Sequence, residues 1–517
     1  MNSPSPVEVE LKLALPPQQA TRFIKLMARR RIPAVEQALL TRYYDTPDFA
    51  LSEQGIALRV RRIGRRWLQT LKTEGERSGG LSRRAEYEVA SGGRTLDWSR
   101  FPAEAQARVA EALRAQLVPV FETDFTRTSW LLVGEHGTAI EVALDIGEVR
   151  VPKRKDAAAQ SQPLCEIELE LKSGQPDALF ALALDWAAQL DALPLDISKA
   201  ERGVRLAHRL AAEPVKSLPL VLDKTLSVEA GFAAVCQACL TQFQANLPGV
   251  LDADDIEYVH QARVALRRLR AALRLFRRVC EVPPDLLQTL RALVAALGPA
   301  RDWDVLCSEW VPAVGAHCPD AADWQRGLDA WQAQRADARA SMRATLLQAH
   351  PGAWMLAFQR WLLQRGWRRS PAGGAAPEAQ RFVQLSPLAP WARQALHKGR
   401  RQVLRGAEAF AGMDAEQRHR LRIVIKRQRY AVEFFQSLVG GRRLARAQTA
   451  LRNAQDSLGR SNDAQVANHL LDTTPASARA AAMFVRGWLA ALQAEGAPRE
   501  NEQSVQALLQ ALRKLKP

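Results

Sequence analysis

The first half of the chain alternates apolar and charged residues in short runs, a pattern typical of β-strands whose two faces meet different surroundings. In the earliest run, VEVELKLAL at residues 7–15, apolar Val7, Val9, Leu11 and Leu13 alternate with charged residues. Similar runs predict strands at 7–15, 56–63, 66–73, 83–90, 125–133, 138–145 and 164–172. Helical spacing of apolar residues predicts helices at 17–31, about 102–117 and about 175–190.

The polar faces of these strands consist almost entirely of carboxylates and cations. One interpretation is an antiparallel sheet with one face in water, which is common. The other is a barrel that closes so that the charged rows fill its interior. We favour the barrel, because solvated faces usually include Ser, Thr and Gln as well. Such an interior suits a polyanionic ligand bound with a metal, since Arg and Lys bind phosphate oxygens and carboxylates hold Mg²⁺ or Mn²⁺.

After the Pro-punctuated segment EPVKSLPLVLDK at 213–224, the pattern predicts long amphipathic helices almost throughout. We therefore divide the chain into a strand-rich domain at 1–205, a linker at 206–224 and a helical domain at 225–517. The helical domain repeats itself: HQARVALRRLRAALRLF and LGPARDWD are matched later by HRLRIVIKRQRYAVEFF and LGRSNDAQ. Repeats at about 225–365 and 390–517 predict two four-helix bundles that face each other.

Each repeat carries a basic stripe along one helix. Residues 260–278 contain seven arginines and no acidic residue, although like charges four residues apart destabilise a helix. A solvated surface is one interpretation, and a site for a bound polyanion is the one that we favour. The second copy has Glu433 at the position that Arg274 takes in the first. The stripes consist of His260, Arg263, Arg267, Arg270 and Arg274, and of His419, Arg422, Lys426 and Arg429.

Composition narrows the class of partner. The formal net charge of +17 predicts a polyanion, and nucleic acid is the weaker candidate because the stripes lack interleaved aromatic residues.

No apolar run approaches the roughly 18 residues of a membrane span, and the first residues lack the features of a secretory signal. We therefore expect a cytoplasmic protein without membrane contact. The CxxC at Cys236 and Cys239 lies in an apolar helical stretch, which predicts buried thiols rather than a metal site.

The strand-rich half resembles the CYTH, or triphosphate tunnel metalloenzyme, family. The resemblance begins with the ExExK sequence of Glu8, Glu10 and Lys12 and continues in order to about residue 205. The further motifs are TRYYDTPDFALSEQGIALRVRR (41–62), WLQTLKT (67–73), FETDFTRTSW (121–130), IEVALDIG (140–147), CEIELELKSG (165–174) and LDISKAERG (195–203). The resemblance implies an eight-stranded antiparallel tunnel with helices packed outside it, and hence an α+β multidomain protein.

The resemblance also implies roles for the charged rows. Glu8, Glu10 and Lys12 would form the catalytic set. The triphosphate would be held by Lys12, Arg59, Arg61, Lys72, Arg84, Arg127 and Lys199. The metal, Mg²⁺ or Mn²⁺, would be held among Glu8, Glu10, Glu141, Asp145, Glu166, Glu168 and Glu170. Because Glu166, Glu168 and Glu170 share one strand face, their spacing leaves open which two of them bind the metal.

The helical half, from about 218 to 517, resembles the CHAD domain, a histidine-containing α-helical domain. The resemblance rests on H-x-x-R-x-x-x-R-R-x-R followed by LGxxRD, and it implies two four-helix bundles with a basic groove that binds inorganic polyphosphate. Asp302, Asp304 and Asp463 would orient the arginines. The second copy has Asn462 where the first has Arg301, which predicts unequal binding by the two bundles. Residues 305–400 match no motif that suggests a role.

Together these features predict a metal-dependent inorganic triphosphatase that hydrolyses triphosphate to pyrophosphate and phosphate and binds polyphosphate through its helical domain. Three alternatives remain open: a polyphosphate-binding or targeting protein with a weak or idle tunnel, a tunnel that acts on thiamine triphosphate or ATP, and an RNA-associated protein attracted by charge. The expected partners are inorganic triphosphate and inorganic polyphosphate, with no specific nucleic acid. We also expect the protein to concentrate at polyphosphate granules.

Overall fold

The computed structural model describes residues 7–134, 137–153, 158–369, 377–495 and 497–515. Residues 1–6, on which the expectation about a secretory signal partly rests, lie outside these ranges. The chain divides into two compact units. The first consists of Met1–Glu213 together with His350–Trp361, and the second of Pro214–Ala349 and Leu362–Pro517.

The first unit is built on strands that alternate inward and outward residues. Its strands in the described residues are β1 (Val7–Ala14), β2 (Val35–Asp45), β3 (Ala57–Ile63), β4 (Arg66–Lys72), β5 (Glu76–Ser78), β6 (Leu81–Ser91), β7 (Val118–Val133), β8 (Ala139–Val151), β9 (Gln160–Ser173) and β10 (Leu193–Pro194). Its helices up to residue 213 are α1 (Ala20–Arg29), α2 (Ala50–Glu53), α3 (Ala103–Gln106), α4 (Glu111–Arg114), α5 (Asp177–Leu190) and α6 (Lys199–Ala207).

Eight of these strands close into an antiparallel barrel, as the sequence predicted. Their order is β1-β9-β8-β7-β2-β3-β4-β6, and β6 pairs back with β1, while β5 and β10 extend the sheet at short edges. The sequence pattern missed β2, because its buried positions Leu39, Thr41, Tyr43 and Asp45 mix apolar with polar side chains. The single helix predicted at about 102–117 is wrong: the chain turns between α3 and α4 and buries Val109 in the outer core.

Apolar outward faces of the strands are covered by helices. Leu11 and Leu13 of β1 lie in one buried cluster with Phe23 of α1 and Trp186 of α5, and the Phe23 and Trp186 rings meet edge to face at 5.1 Å. Burial of each large apolar side chain contributes about 1.5–3 kcal/mol to folding. Because alternate residues point to opposite faces, this packing directs the charged rows into the barrel.

The second unit is helical. The remaining helices of the chain are α7 (Val228–Asp252), α8 (Ile256–Phe276), α9 (Pro284–Val305), α10 (Val311–Gly315), α11 (Ala321–Gln348), α12 (Pro351–Leu363), α13 (Glu378–Leu385), α14 (Leu388–Glu408), α15 (Ala415–Val439), α16 (Arg442–Asp472), α17 (Arg479–Glu495) and α18 (Ala497–Arg513), with a π-helical turn at Leu306–Trp310. The two basic stripes lie on α8 and α15, which contact each other, and the two LG segments lie on α9 and α16, which also make contact. Cys236 and Cys239 of α7 are buried free thiols, as predicted.

Candidate functional sites

The barrel of the first unit encloses a cavity of about 470 Å³. Twelve of the fourteen residues predicted for triphosphate, metal or catalysis line it, and the other two, Asp145 and Glu166, are buried side chains outside the lining. The lining residues are Glu8, Glu10, Lys12, Tyr43, Ala57, Arg59, Arg61, Lys72, Arg84, Glu86, Glu88, Arg127, Glu141, Ala143, Glu168, Glu170, Lys172, Ser198, Lys199 and Ala200. The structure therefore brings together residues from both ends of the strand-rich sequence.

On the wall formed by β1, β4 and β6, each cation bridges two carboxylates. Lys72 Nζ lies 2.8 Å from Glu8 and 3.0 Å from Glu86. Arg84 donates to Glu8 at 3.2 Å and to Glu10 at 2.7 Å. Lys12 Nζ lies 3.0 Å from Glu10 and 3.3 Å from Glu168 of β9. These contacts hold the basic side chains in place with their donors directed into the cavity.

Arg61 on β3 differs from these cations. It is 7% exposed, its Nε donates to the hydroxyl of Thr41 at 3.1 Å, and no carboxylate among the described residues lies within ion-pair distance of it. Burial lowers the pKa of Arg61 to about 10, and the neighbouring charges of Arg59 and Arg127 contribute. Arg61 is therefore a buried cation whose positive charge is poorly compensated by the protein.

Tyr43 of β2 is a cavity residue that the sequence analysis missed. Arg59 forms a hydrogen bond with it. Burial raises the pKa of the Tyr43 phenol, but the cations of Arg59, Arg61 and Lys199 outweigh it and lower the pKa below its usual range. Tyr43 follows Thr41 by two residues and so points to the same face of the strand, but the sequence pattern did not predict β2.

Lys199, at the start of α6, occupies a cage of three carboxylates. Its ammonium lies 2.7 Å from Asp145 and 2.9 Å from Glu168 and also contacts Glu166. Burial lowers the pKa of Lys199, but these three carboxylates outweigh that effect and raise it. Oxygens of the same three carboxylates lie within 4.8 Å of one another. Arg127 adds two hydrogen bonds to Asp145, at 2.8 and 2.7 Å, and one to Glu168.

A second group of carboxylates has less compensation. Glu141 and Glu170 share one cation, Lys172, at 3.0 and 2.7 Å. Burial raises the pKa of Glu170, the contact with Lys172 opposes this, and the negative charges of Glu8 and Glu141 add to the rise. Negative charge is therefore less compensated at Glu141 and Glu170 than at Glu8, which pairs with both Lys72 and Arg84.

An apolar layer crosses the barrel beside the Lys199 cage. It consists of Leu39, Phe125 and Leu164, and the ammonium of Lys199 lies 5.1 Å from the centre of the Phe125 ring. Gly147 makes room for this layer, because a Cβ there would lie 2.5 Å from the Cα of Phe125. The charged groups of the tunnel therefore lie next to an apolar surface on one side. The lower dielectric constant there strengthens the interactions between these charges.

The basic stripes of the second unit meet along α8 and α15. Lys426 of α15 is surrounded by Arg267 and Arg270 of α8 and by Arg422 and Arg427 of its own helix. Burial and these four guanidinium groups lower the pKa of Lys426 to about 7. We call Lys426 and these four arginines the central groove.

Other stripe residues extend the central groove at its two ends. Arg263 lies near Arg267 and the carboxylates of Asp302 and Asp463, and the orienting role of these two acids stays a prediction. Arg274 lies near Arg427 at the other end. Burial lowers the pKa of His260, and the nearby cations, first Arg301, lower it further.

Three predicted residues have other surroundings. Asp304 pairs with Arg335 of α11 at 2.7 Å. Because Arg335 is not a stripe residue, this contact does not support the predicted role of Asp304 in orienting the stripe arginines. Arg429 donates to Gln455 of α16 at 2.9 Å. His419 is exposed near the start of α15. Glu433, the departure from the repeat, lies 2.8 Å from the buried Arg268 and so joins α15 to α8.

Comparison with known proteins identifies both halves of the chain. The model of the CYTH domain matches residues 7–204, and the model of the CHAD domain matches residues 234–472. The crystal structure of the CHAD domain from the plant Ricinus communis is 31% identical, with a TM-score of 0.50, over 59% of this chain and 98% of that one. The chain is a CYTH domain followed by a CHAD domain. The barrel is the CYTH tunnel, and the helices of the second unit form the CHAD domain.

The CYTH–CHAD chain is also similar to a curated relative, the inorganic triphosphatase of Haemophilus influenzae. The two are 35% identical over 207 residues, which are 39% of this chain and 55% of the relative. The chain thus spans about half the length of that relative. None of the helices in the described residues has both the length and the apolar character needed to cross a membrane.

Proposed function

We propose that the CYTH domain hydrolyses inorganic triphosphate to pyrophosphate and phosphate, and that the CHAD domain binds inorganic polyphosphate. The observation that carries the first proposal is the buried, poorly compensated guanidinium of Arg61 in the tunnel wall. A buried charge is costly unless an opposite charge accompanies it. Phosphate oxygens provide that charge in a form that a guanidinium fork binds well. The similarity to the Haemophilus influenzae inorganic triphosphatase supports the same substrate.

Hydrolysis of triphosphate depends mainly on position and charge, because its phosphoryl transfer needs little covalent participation by the protein. Arg61 and Arg59 bind the phosphate chain from one wall, and Lys12, Lys72 and Arg84 bind it from another. Carboxylate partners hold Arg59, Lys12, Lys72 and Arg84 in place, and the hydroxyl of Thr41 holds Arg61. Little reorganisation therefore accompanies the charge that develops in the transition state. Glu10, fixed by Lys12 and Arg84, is the carboxylate that we assign to orienting the attacking water.

The tunnel also fits a divalent metal such as Mg²⁺ or Mn²⁺. The donor set consists of carboxylate oxygens, which these hard cations prefer, and Glu141 and Glu170 share a single cation, Lys172. We assign Glu141 and Glu170 as the main metal-holding residues, because Lys199 and Arg127 already neutralise Asp145, Glu166 and Glu168. Glu8, whose charge acts on Glu170, is the third carboxylate of the set, although it also pairs with Lys72 and Arg84. When bound, such a metal neutralises phosphate charge as a Lewis acid.

The proposal for the CHAD domain rests on the central groove. Its five cations lie together, and the largest charge effects on Lys426 all come from guanidinium groups. A linear polyanion compensates such a row, whereas base stacking would need the aromatic residues that the stripes lack. The two repeats of the CHAD domain differ, because the second has Asn462 at the position that Arg301 takes in the first. We therefore propose that the two repeats bind polyphosphate unequally. Binding of polyphosphate would concentrate the protein at polyphosphate granules.

The experiment that tests the tunnel proposal is phosphate release from inorganic triphosphate by the full chain. It is measured with Mg²⁺ or Mn²⁺ and with EDTA, and compared with ATP and thiamine triphosphate. Arg61→Met, which keeps a long side chain but removes its charge, should lower turnover at least a hundredfold. Preference for ATP or thiamine triphosphate would replace the proposed substrate. Absence of turnover on all three, with tight polyphosphate binding, would favour a binding protein with an idle tunnel.

A further inference from the structure

The tunnel unit contains a helical segment that the sequence places far beyond the CYTH domain. His350–Trp361, most of it in α12, belongs to the first unit. Leu356 is fully buried in the same cluster as Leu11 and Leu13 of β1. Gly352 approaches Ala192 so closely that a Cβ at residue 352 would lie 2.0 Å from the Ala192 carbonyl oxygen. The segment is therefore an integral part of the core that supports β1.

Polar contacts fix this segment at two places. Arg360 donates two hydrogen bonds to the carboxylate of Asp177 at the start of α5, both at 2.6 Å. Gln359, which is 2% exposed, donates its Nε2 to the hydroxyl of Ser78. The side chain of Gln359 also packs on Gly79, where a Cβ would lie 2.7 Å from its Cγ. Gln359 thus holds the turn that joins β5 to β6.

That turn supports a tunnel cation. The carbonyl of Gly80 accepts a hydrogen bond from the backbone N–H of Lys12 at 2.9 Å. Gly79 and Gly80 both have positive φ, +61° and +86°, a backbone conformation that glycine adopts without strain. A Cβ at Gly80 would lie 2.8 Å from the carbonyl oxygen of Lys12. The conformation of the turn therefore determines where the backbone of Lys12 lies.

The side chain of Lys12 enters the cavity from this backbone position. Its ammonium lies 3.0 Å from Glu10 and 3.3 Å from Glu168. Two hydrogen bonds and one three-residue turn connect Gln359 to this cation. A shift of the turn therefore moves a group that binds the phosphate chain and weakens its contact with the substrate.

We propose that Gln359 of α12 is a positioning residue for the triphosphate tunnel, acting through the Ser78–Gly80 turn on Lys12. The proposal rests on the proposed function of the CYTH domain. It means that the tunnel site is completed by a segment that begins at His350, although the CYTH match ends at residue 204. It also gives part of the 305–400 region, which matched no motif, a specific role.

The test uses three variants of the full chain. Gln359→Met keeps the length of the side chain and its packing but removes the hydrogen bond to Ser78, and Ser78→Ala removes the same bond from the other side. Arg360→Met is the matched control, because it removes a polar anchor of the same segment without touching the turn. Backbone hydrogen exchange at Lys12, followed by mass spectrometry with residue-level fragmentation, reports whether the turn still holds β1.

Gln359→Met and Ser78→Ala should each speed exchange at Lys12 about tenfold and raise the KM for inorganic triphosphate about tenfold with little change in kcat. Arg360→Met should leave both unchanged. A residue that only stabilises the fold would lower the active fraction, so kcat would fall at constant KM. That result, or unchanged exchange at Lys12 in both turn variants, would overturn the proposal. If the wild-type chain does not hydrolyse triphosphate, the proposed function fails, and hydrogen exchange alone still decides the positioning role.

Discussion

If the central groove binds polyphosphate as proposed, Lys426 should make that binding sensitive to pH. Burial and the cations of Arg267, Arg422, Arg270 and Arg427 lower its pKa from 10.5 to about 7 in the free protein. A bound polyanion adds negative charge next to the amine and returns the pKa toward its usual value. Below pH 7 the amine is charged in both states. Above pH 7 it is neutral in the free groove, so binding must take up a proton.

The number of protons taken up on binding determines how steeply the polyphosphate affinity changes with pH. With pKa values of about 7 in the free and about 10.5 in the bound state, affinity falls up to tenfold per pH unit between pH 7 and pH 10. From pH 6 to pH 9 the expected loss is about a hundredfold. The other titratable neighbours do not reproduce this window. His260 has a lowered pKa and changes charge below pH 6.5. Burial raises the pKa values of Asp302 and Asp456, but an acid that loses its proton as pH rises becomes more negative and is not the group that takes up a proton on binding above pH 7. The Lys426→Arg control separates the contribution of these two acids.

Isothermal titration calorimetry with polyphosphate of defined chain length measures both quantities. Titrations at one ionic strength, in two buffers with different ionisation enthalpies, count the protons taken up at each pH. Lys426→Arg is the control, because its guanidinium stays charged across the range, so its affinity should change little between pH 6 and pH 9. Equal pH dependence in wild type and Lys426→Arg, or no proton uptake by the wild type at pH 8, would refute the reasoning.

Three further predictions address the two sites separately. Glu10→Gln should abolish phosphate release from inorganic triphosphate and leave polyphosphate affinity unchanged in calorimetry; loss of both would contradict two independent sites. Replacement of Arg263, Arg267 and Arg270 by Ala should weaken polyphosphate binding at least tenfold while triphosphate turnover persists, and a parallel loss of turnover would argue against this separation. Lys199→Met should lower the free energy of unfolding in urea by about 3–5 kcal/mol at pH 7, because three buried carboxylates lose their shared ammonium. This loss should shrink below about pH 4, where carboxylates become protonated, and a loss independent of pH would assign it to packing.

Several features of the fold followed from local periodicity. Alternation at every second residue predicted seven of the eight barrel strands and showed that charged residues share one face, as in Glu8, Glu10 and Lys12. Helical spacing showed that each repeat carries one basic stripe. These predictions succeeded because backbone geometry alone decides which neighbours in sequence point the same way. The strand β2 was missed where polar Thr41 and Asp45 take buried positions and hide the alternation.

Pairing between distant residues was decided only by the tertiary structure. The sequence could not show that Lys199 joins Asp145, Glu166 and Glu168, or that Arg61 has no carboxylate partner in the described residues, because these relations depend on barrel register and on where α6 packs. Nor could it show that Gln359 supports Lys12 through a glycine turn. Sequence periodicity determines which face a side chain occupies, whereas the charges that it meets there are set by strands and helices brought together from far along the chain.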